Sequence, residues 1–257
     1  GAVFVGPAAG HLASGLVGGR RMADAAEILD TARLILAQSG PLAGKHIVIT
    51  AGGTQEPMDP VRVITNRSSG KQGYAVARAA LDAGAAVTLI TAPTSLIPPL
   101  GCRVVPVKTA AEMQAAVLAE TAQADALVMA AAVADFRPAQ ASSEKIKKDN
   151  TVPQIHLERT ADILADVAER RAQSGYPRRV VGFAAESQDL LQNAQSKLTR
   201  KRLDLIVAND ITAPDAGFEV ETNRVTLLFA DGRTETLPLQ QKAEVARRIV
   251  DALVEWS

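Results

Sequence analysis

The sequence predicts an α/β fold of the Rossmann-like, doubly wound type, with a mostly parallel sheet, helices on both faces and a late β-hairpin. Three observations predict it. Apolar residues make up 47% of the chain but aromatic residues only 3%, a content typical of parallel strands covered on both faces. Short apolar runs alternate with helical patterns from residue 45 onward. The 257 residues are enough for one such domain with an appendage.

The elements follow in order along the chain. A Gly-rich stretch at 10–22 has no clear period, and residues 23–40 predict a helix ended by a glycine. Apolar runs predict six strands at 46–50, 85–91, 103–107, 125–131, 179–185 and 204–209. Helical patterns predict helices at 71–83, 110–122, 161–173, 188–202 and 240–255. An Asp-Gly pair predicts a hairpin over 224–239. Right-handed crossovers then give the strand order 3-2-1-4-5-6.

Composition excludes several classes of function. Lys plus Arg equals Asp plus Glu, 28 each, and this lack of a basic excess argues against a nucleic-acid partner. The single cysteine, Cys102, rules out an intrachain disulfide and argues against a cysteine-based zinc site. We find no membrane-spanning run and no signal-peptide pattern, so we expect a cytoplasmic protein without a membrane partner. Because residue 1 is Gly, we expect the chain to be a piece of a longer protein.

The loop after the first predicted strand, 51–70, carries a candidate anion site. Doubly wound sheets bind ligands at the carboxyl edge, between strands one and four. Ser68, Ser69 and Gly70 place small residues and backbone N–H groups at a predicted helix start, which suits an anion. An ordinary capping loop is the alternative, but connections in such folds usually have only about 2–6 residues.

The loop after the fourth strand, 131–150, adds an acid and a basic run. Asp135 is a single acid at the ligand edge that could bind a metal or a ribose. KIKK at 145–148 is either a solvated charge run or part of an anion site. Lys197 and Lys201 are four apart and share a helix face. Basic groups beside the first loop fit a triphosphate better than a dinucleotide.

Three kinds of nucleotide-binding protein can be compared with these residues. A nicotinamide enzyme needs a G-x-G-x-x-G motif and an acid after the second strand, and both are missing. An NADP-dependent short-chain-type oxidoreductase needs Tyr-x-x-x-Lys, whereas Tyr74 and Tyr176 are followed at that spacing by Arg78 and Val180. A non-catalytic nucleotide-binding regulator stays open.

Several motifs in the same order resemble the phosphopantothenate–cysteine ligase family. They are GGTQEPMDPVRVITNRSSGKQG, AAAVADF, KIKK, VVGFAAE, DLIVAND and TNRVTLLF. The resemblance covers 45–257, which we expect to form the ligase domain. It implies that 4'-phosphopantothenate and L-cysteine are joined with CTP and Mg²⁺ through an acyl-cytidylate, giving phosphopantothenoylcysteine, CMP and pyrophosphate in coenzyme A synthesis.

The resemblance also implies roles for individual residues. Catalysis would fall to Asn66, Lys145 and Arg62. Phosphopantothenate would contact Gly53, Asn66, Ser68, Ser69 and Gly70. CTP would contact Met129, Ala130, Ala131, Asp135, Lys145, Thr160, Ala161, Asp162, Ile163, Phe183, Lys197 and Lys201. The metal ligands are not assigned, with Asp135 as a candidate. The family usually has Asn-Pro where this chain has Thr160-Ala161, which puts the nucleotide contacts of that turn in question.

The N-terminal part resembles the tail of a flavin-dependent decarboxylase to which this ligase is often fused in bacteria. We expect residues 1–44 to be a remnant of that tail with a linker helix. The family's active-site cysteine is replaced by Ser14, and the flavin-binding body is missing, so we expect neither FMN nor decarboxylase activity in this chain. The resemblance also implies a homodimer, with 224–239 as a plausible exchange surface.

Overall fold

The computed structural model describes residues 2–11, 17–147, 154–186, 190–210 and 220–256. Its helices are α1 (Ala25–Ala37), α2 (Lys71–Asp82), α3 (Ala110–Glu120), α4 (Ile163–Ser174), α5 (Leu190–Arg200) and α6 (Lys242–Glu255). The strands are β1 (Ala8–His11), β2 (Val17–Arg21), β3 (His46–Ala51), β4 (Gln55–Pro57), β5 (Val63–Thr65), β6 (Ala86–Thr91), β7 (Arg103–Pro106), β8 (Ala126–Met129), β9 (Phe136–Pro138), β10 (Leu157–Arg159), β11 (Arg179–Glu186), β12 (Leu205–Asp210), β13 (Thr222–Asn223), β14 (Val225–Phe229), β15 (Thr234–Thr236) and β16 (Gln240–Gln241).

The main sheet confirms the predicted fold class and strand order. Its eight strands run β15-β14-β12-β11-β8-β3-β6-β7. The six strands from β12 to β7 are parallel to their neighbours, and numbered by their appearance they give 3-2-1-4-5-6. The late hairpin is formed by β14 and β15, which join antiparallel beyond β12.

Alternating side chains divide the core into two layers, one on each face of the sheet. In β3, Ile47 and Ile49 pack into the core with α2 and α6. Val48, between them, packs into the core with α3, α4 and α5. The period of two in a strand sends successive side chains to opposite faces, and both faces here are apolar. The helices on the two faces therefore reach the carboxyl edge of the sheet from opposite sides.

The two long loops contain more regular structure than the sequence indicated. The loop after β3 folds into an antiparallel ribbon of β4 and β5, and the loop after β8 supplies β9, which pairs with β10. The Gly-rich stretch before α1 likewise forms β1 and β2. All six of these strands have only three to five residues, too few to show a hydrophobic period. Ser14 and Lys148 lie outside the described residues.

Candidate functional site

A cleft of about 710 Å³ lies at the carboxyl edge of the parallel strands. The ends of β8, β11 and β12 contribute to its wall, and residues from the starts of α2, α4 and α6 line it. Helix starts expose N–H groups and the positive end of the helix dipole. Their convergence makes this cleft suited to an anionic ligand.

Glycine allows helix α2 to begin at the wall of the cleft. Gly70 caps the helix with φ +78°, a conformation that favours glycine. A Cβ added to Gly73 would lie 2.7 Å from both the Thr50 carbonyl oxygen and the Ala51 Cβ. The helix therefore rests almost directly on the end of β3, and its first residues, with Ser68 and Ser69 before them, line the cleft.

Asn66 is held by the loop on the other side of the cleft. Its Nδ2 donates to the carbonyl oxygens of Ala132 at 3.3 Å and Val133 at 3.1 Å. Gly53 lies directly behind it, where a Cβ would approach the Asn66 carbonyl oxygen to 2.8 Å. Gly53 thus supports the wall without lining the cleft. The two donor contacts fix the plane of the Asn66 carboxamide.

The loop after β8 is held in place by threonine hydroxyls. The Ala131 amide donates to Thr50 Oγ1 at 3.0 Å, and the Ala134 amide donates to Thr54 Oγ1 at 2.9 Å. Thr160 joins from the next segment, donating through its hydroxyl to the Ala134 carbonyl at 2.6 Å. The predicted nucleotide contacts at 129–131, with Asp135, therefore line a well-anchored wall of the cleft.

Lys197 on α5 and Lys201 just after its end both line the cleft, as their four-residue spacing predicts. Lys197 Nζ donates to the Phe183 carbonyl at 2.8 Å. Lys201 is only 8% exposed, and it pairs with Asp162. Burial lowers the pKa of Lys201. Asp162 also accepts from the Ala165 amide as the cap of α4, so the turn at 160–163 and the two lysines meet at one corner.

Several cleft residues were missed by the sequence analysis. They are Lys71, Arg159, Asn223 and Lys242. The lining holds six Lys and Arg residues but only two carboxylates, Asp135 and Asp162, so its formal charge is strongly positive. Lys242 could have been noticed as the first residue of the last helix, on the side where strands end. Its place in the cleft depends on contacts between residues far apart in the sequence, such as the one with Gln72.

Arg62 and Lys145 do not line the cleft. The Arg62 guanidinium pairs with Asp59 and donates through Nη2 to the Ile146 carbonyl at 2.9 Å. Asp59 is buried and also accepts from the Ile146 amide at 3.1 Å. Hydrogen bonding from Arg62 holds the Asp59 pKa well below its usual range. The pair ties the β4–β5 ribbon to the loop that carries Lys145, whose side chain is exposed. The catalytic roles of both residues stay predictions.

The described parts of the chain contain neither a cluster of metal-binding side chains nor an activated thiol. In these, no three His, Cys, Asp or Glu side chains group closely enough to hold a metal ion by themselves. Cys102 lies outside the cleft lining, and burial raises its thiol pKa to about 11, which suits a neutral side chain rather than a nucleophile. No helix within the same residues is long and apolar enough to cross a bilayer.

Fold and cleft together define a doubly wound α/β domain with a basic cleft at the switch point of its sheet. A family model described as the DNA/pantothenate metabolism flavoprotein C-terminal domain matches residues 42–256. The chain belongs to that family, which confirms the resemblance drawn from the sequence motifs.

Similar proteins extend this finding. The coenzyme A biosynthesis bifunctional protein CoaBC of Bacillus subtilis (strain 168) is 44% identical over 257 residues, covering 99% of this chain and 62% of that protein. Its namesake from Mycobacterium tuberculosis is 48% identical over 268 residues, covering 100% and 64%. A crystal structure of the C-terminal domain of a CoaBC protein has 40% identity and a TM-score of 0.72, covering 85% of this chain and 98% of that one. The chain spans less than two thirds of the length of these curated relatives.

Proposed function

We propose that the chain is a phosphopantothenate–cysteine ligase of coenzyme A biosynthesis. It would join 4'-phosphopantothenate to L-cysteine with CTP, through an acyl-cytidylate, releasing CMP and pyrophosphate. The observation that carries the proposal is the positively charged cleft at the sheet edge, where six basic side chains face two carboxylates. Family membership supports it, and the relatives named for coenzyme A biosynthesis agree with it.

Activation of the acid brings two anions together. A carboxylate is a poor electrophile, and joining it to the α-phosphate of CTP makes the carbonyl carbon reactive while pyrophosphate leaves. The substrate carboxylate and the triphosphate repel each other until cations offset their charge. Lys197 and Arg200 lie on α5, Lys201 follows its last residue directly, and all three line the cleft. We place the nucleotide at this corner, against the turn at 160–163 and Phe183, with Lys145 as a further cation.

Amide formation would take place beside Asn66. Its Nδ2 faces the Ala132 and Val133 carbonyls, so its Oδ1 is directed away from them and can accept a hydrogen bond from the attacking amine of cysteine. Ser68, Ser69 and Gly70 would hold phosphopantothenate near this point, and Gly53 would keep Asn66 in place. Arg62 would act through the loop that it anchors.

The proposed Mg²⁺ fits the donor set if the substrates supply most of its ligands. Mg²⁺ is often held by one or two carboxylates together with substrate phosphates. Asp135 lines the cleft and would be the protein ligand, since Asp162 is paired with Lys201. The ion would offset phosphate charge as the acyl-cytidylate forms.

A pyrophosphate-release assay tests the proposed function. Pyrophosphate should appear with CTP only when phosphopantothenate is present, and phosphopantothenoylcysteine should form only after L-cysteine is added. ATP in place of CTP tests the choice of nucleotide. CTP binding without release under any of these conditions would reject the ligase and favour a non-catalytic nucleotide-binding regulator, which the same charged cleft could also serve.

The variant Asn66→Asp tests the division into two steps. A carboxylate would be repelled by the Ala132 and Val133 carbonyls and would lose the fixed orientation of the carboxamide. We expect acyl-cytidylate to accumulate, detected by mass spectrometry of quenched reactions. Asn193→Asp, on the exposed face of α5, is the matched control. Amide synthesis at the wild-type rate by Asn66→Asp would remove Asn66 from this role.

The proposal also covers the oligomeric state, the cellular location and the fusion partner of the enzyme. We propose a homodimer in the cytoplasm, and fusion to a flavin-dependent decarboxylase in the longer protein. The exposed edge strand β15 supports an exchange surface at 224–239, because an unpaired strand edge can pair with another chain. Sedimentation at several concentrations tests the dimer, and a monomer at every concentration would reject it.

A further inference from the structure

A second cavity, of about 410 Å³, lies at the amino edge of the sheet, opposite the cleft. It is lined by residues at the starts of three parallel strands: Lys45 and Ile47 at β3, Asp125 at β8, and Arg178 and Arg179 at β11. We call this cavity the amino-edge pocket. The six residues of β3 span about 20 Å between this edge and the cleft. A ligand in the pocket would therefore lie apart from the reacting groups of the proposed ligase.

Part of the wall of the amino-edge pocket is apolar. Leu42, Ile47 and Leu253 contribute to it, and all three are buried. Trp256, the only tryptophan of the chain, lines the pocket as well. Its indole packs edge-on against Phe229, with the ring centroids 6.2 Å apart. Sites for small molecules usually combine such a wall with a few polar groups. The pocket therefore has a surface for the flat or apolar part of a ligand.

The rest of the wall carries more positive than negative charge. Its described lining residues include four cations and one carboxylate: Lys45, Arg171, Arg178, Arg179 and Asp125. Asp204 adds a second carboxylate, which pairs with Arg171 at 2.9 Å and with Arg179 at 3.0 Å. Among the described residues, these four cations pair with these two carboxylates. The formal charge around the pocket is therefore positive by two.

Asp125 is a weak partner for the two cations beside it. Its Oδ1 lies 3.8 Å from Lys45 Nζ and 3.7 Å from Arg178 Nε, and both distances are too long for a hydrogen bond. Its Oδ2 accepts from the His46 amide at 2.9 Å, which holds the carboxylate against β3. The side chains of Lys45 and Arg178 are 36% and 61% exposed. Most of their N–H donors are therefore accessible to an anion from solvent.

Two aromatic rings hold the neighbouring arginines in place. The guanidinium of Arg178 lies over the ring of Tyr176, and that of Arg179 lies over the ring of Trp256, each 5.2 Å from the ring centroid. Arg178 also donates through Nη2 to the Tyr176 hydroxyl at 3.0 Å. Stacking orients the planar guanidinium and leaves donors along its edge for a carboxylate or phosphate. An arginine oriented before the ligand arrives loses less conformational entropy on binding.

We propose that the amino-edge pocket binds a small organic oxyanion with a flat or apolar body. Lys45 and Arg178 hold the anionic group, and the body lies along Trp256 and the apolar wall. A carboxylate and a phosphate ester share this chemistry. The volume of about 410 Å³ is within the usual range for small-molecule sites, about 300–1,000 Å³. The inference does not depend on the proposed function, because the pocket and the cleft lie at opposite edges of the sheet.

Tryptophan fluorescence tests the site directly. Because Trp256 is the only tryptophan, its emission reports on this pocket and not on the distant cleft. The probes are benzoate and phenyl phosphate, compared with benzyl alcohol, which lacks the charge, and with acetate, which lacks the ring. We expect a saturable change with benzoate or phenyl phosphate and much weaker binding of the other two. The tighter of the two ring-bearing anions shows which oxyanion the site prefers. Emission that does not saturate with either anion up to about 10 mM would overturn the site.

Three variants separate the site from a fault in folding. Arg178→Met should weaken the bound anion about tenfold, because a charged hydrogen bond is lost. The matched control Arg170→Met removes an exposed arginine outside the pocket and the cleft and should leave the affinity unchanged. Asp125→Asn should tighten binding about threefold or more, because it removes a nearby negative charge, and its carboxamide oxygen can still accept from the His46 amide. A folding fault would not produce that gain. Equal affinity in the wild type, Arg178→Met and Asp125→Asn would overturn the proposal. The pyrophosphate assay uses none of these probes, so a failure of the ligase proposal would be seen separately.

Discussion

Replacing Gly73 with alanine tests how closely helix α2 must approach the sheet. The new Cβ would lie 2.7 Å from the Thr50 carbonyl oxygen and from the Ala51 Cβ, and 3.1 Å from the Ala51 Cα. These atoms belong to a central strand whose side chains are buried on both faces, so the strand cannot retreat. Helix α2 must therefore move outward, and its first residues must move with it.

The cost follows from two opposing effects. Overpacking costs about 1–3 kcal/mol, and close contacts with a strand backbone place Gly73 at the upper end. Alanine gains about 1 kcal/mol over glycine in a helix. We therefore expect a net loss of about 2 kcal/mol, or about 4–8 °C in Tm. Because Lys71 and Ser69 would move with the helix, we also expect KM for phosphopantothenate to rise.

Urea unfolding followed by circular dichroism, together with steady-state kinetics, measures both effects. The matched control is Gly175→Ala at the end of α4. Gly175 has φ +77° and no atom within 4 Å of an added Cβ, so the cost should be the backbone strain alone, about 1–2 kcal/mol. The control should lose stability without a change in KM. Unchanged stability and KM in Gly73→Ala would refute the close-packing argument.

Three other predictions concern charged groups. Asp59→Asn should weaken the hydrogen bond from the Ile146 amide, so that this amide exchanges faster and ligase activity falls. The control Asp231→Asn alters a similar Asp–Arg pair on the exposed hairpin and should change neither. Equal exchange of the Ile146 amide in the wild type and Asp59→Asn would contradict this. Lys201→Met should raise KM for CTP by about tenfold and leave that for cysteine unchanged, and the reverse pattern would reject the placement of the nucleotide. The folded pKa of Lys242, about 8, lies below its unfolded value of about 10.4, so stability should rise between those pH values. Lys242→Met should lack that rise in urea titrations, and an equal rise in both proteins would contradict it.

The main sheet could be predicted because each of its parallel strands is a short apolar run bounded by polar residues or glycine. Ile47, Val48 and Ile49 show this pattern, since both faces of β3 are buried. Strand order followed from the handedness and switch-point rules. The ribbon of β4 and β5 could not be predicted in the same way, because strands of three residues carry too few side chains to show a period.

The site could be predicted in part for a similar reason. Asn66, Ser68 and Ser69 lie in the loop between the first predicted strand and the helix after it, so topology alone places them at the ligand edge. Lys242 is different, because it meets Gln72 across a sequence separation of 170 residues. No local pattern reports that contact. The position of Arg62 could not be predicted either. Its side chain contacts both Asp59 and the Ile146 carbonyl, which lies more than eighty residues further along the chain.

The placement of basic groups on opposite layers has a mechanical consequence. Among the described residues, α5 packs on one face of the sheet and the pair α2 and α6 on the other, in separate apolar clusters. A substrate bound both by the lysines at α5 and by the starts of α2 and α6 would act as a brace across the carboxyl edge of the sheet, linking its two layers. A ligand bound at only one of these two sets of cations would stabilise one layer. An acyl-cytidylate that reached both sets would slow the local unfolding of both layers. Cooperative protection of α2 and α5 from exchange would be the sign that the intermediate has formed and is still bound.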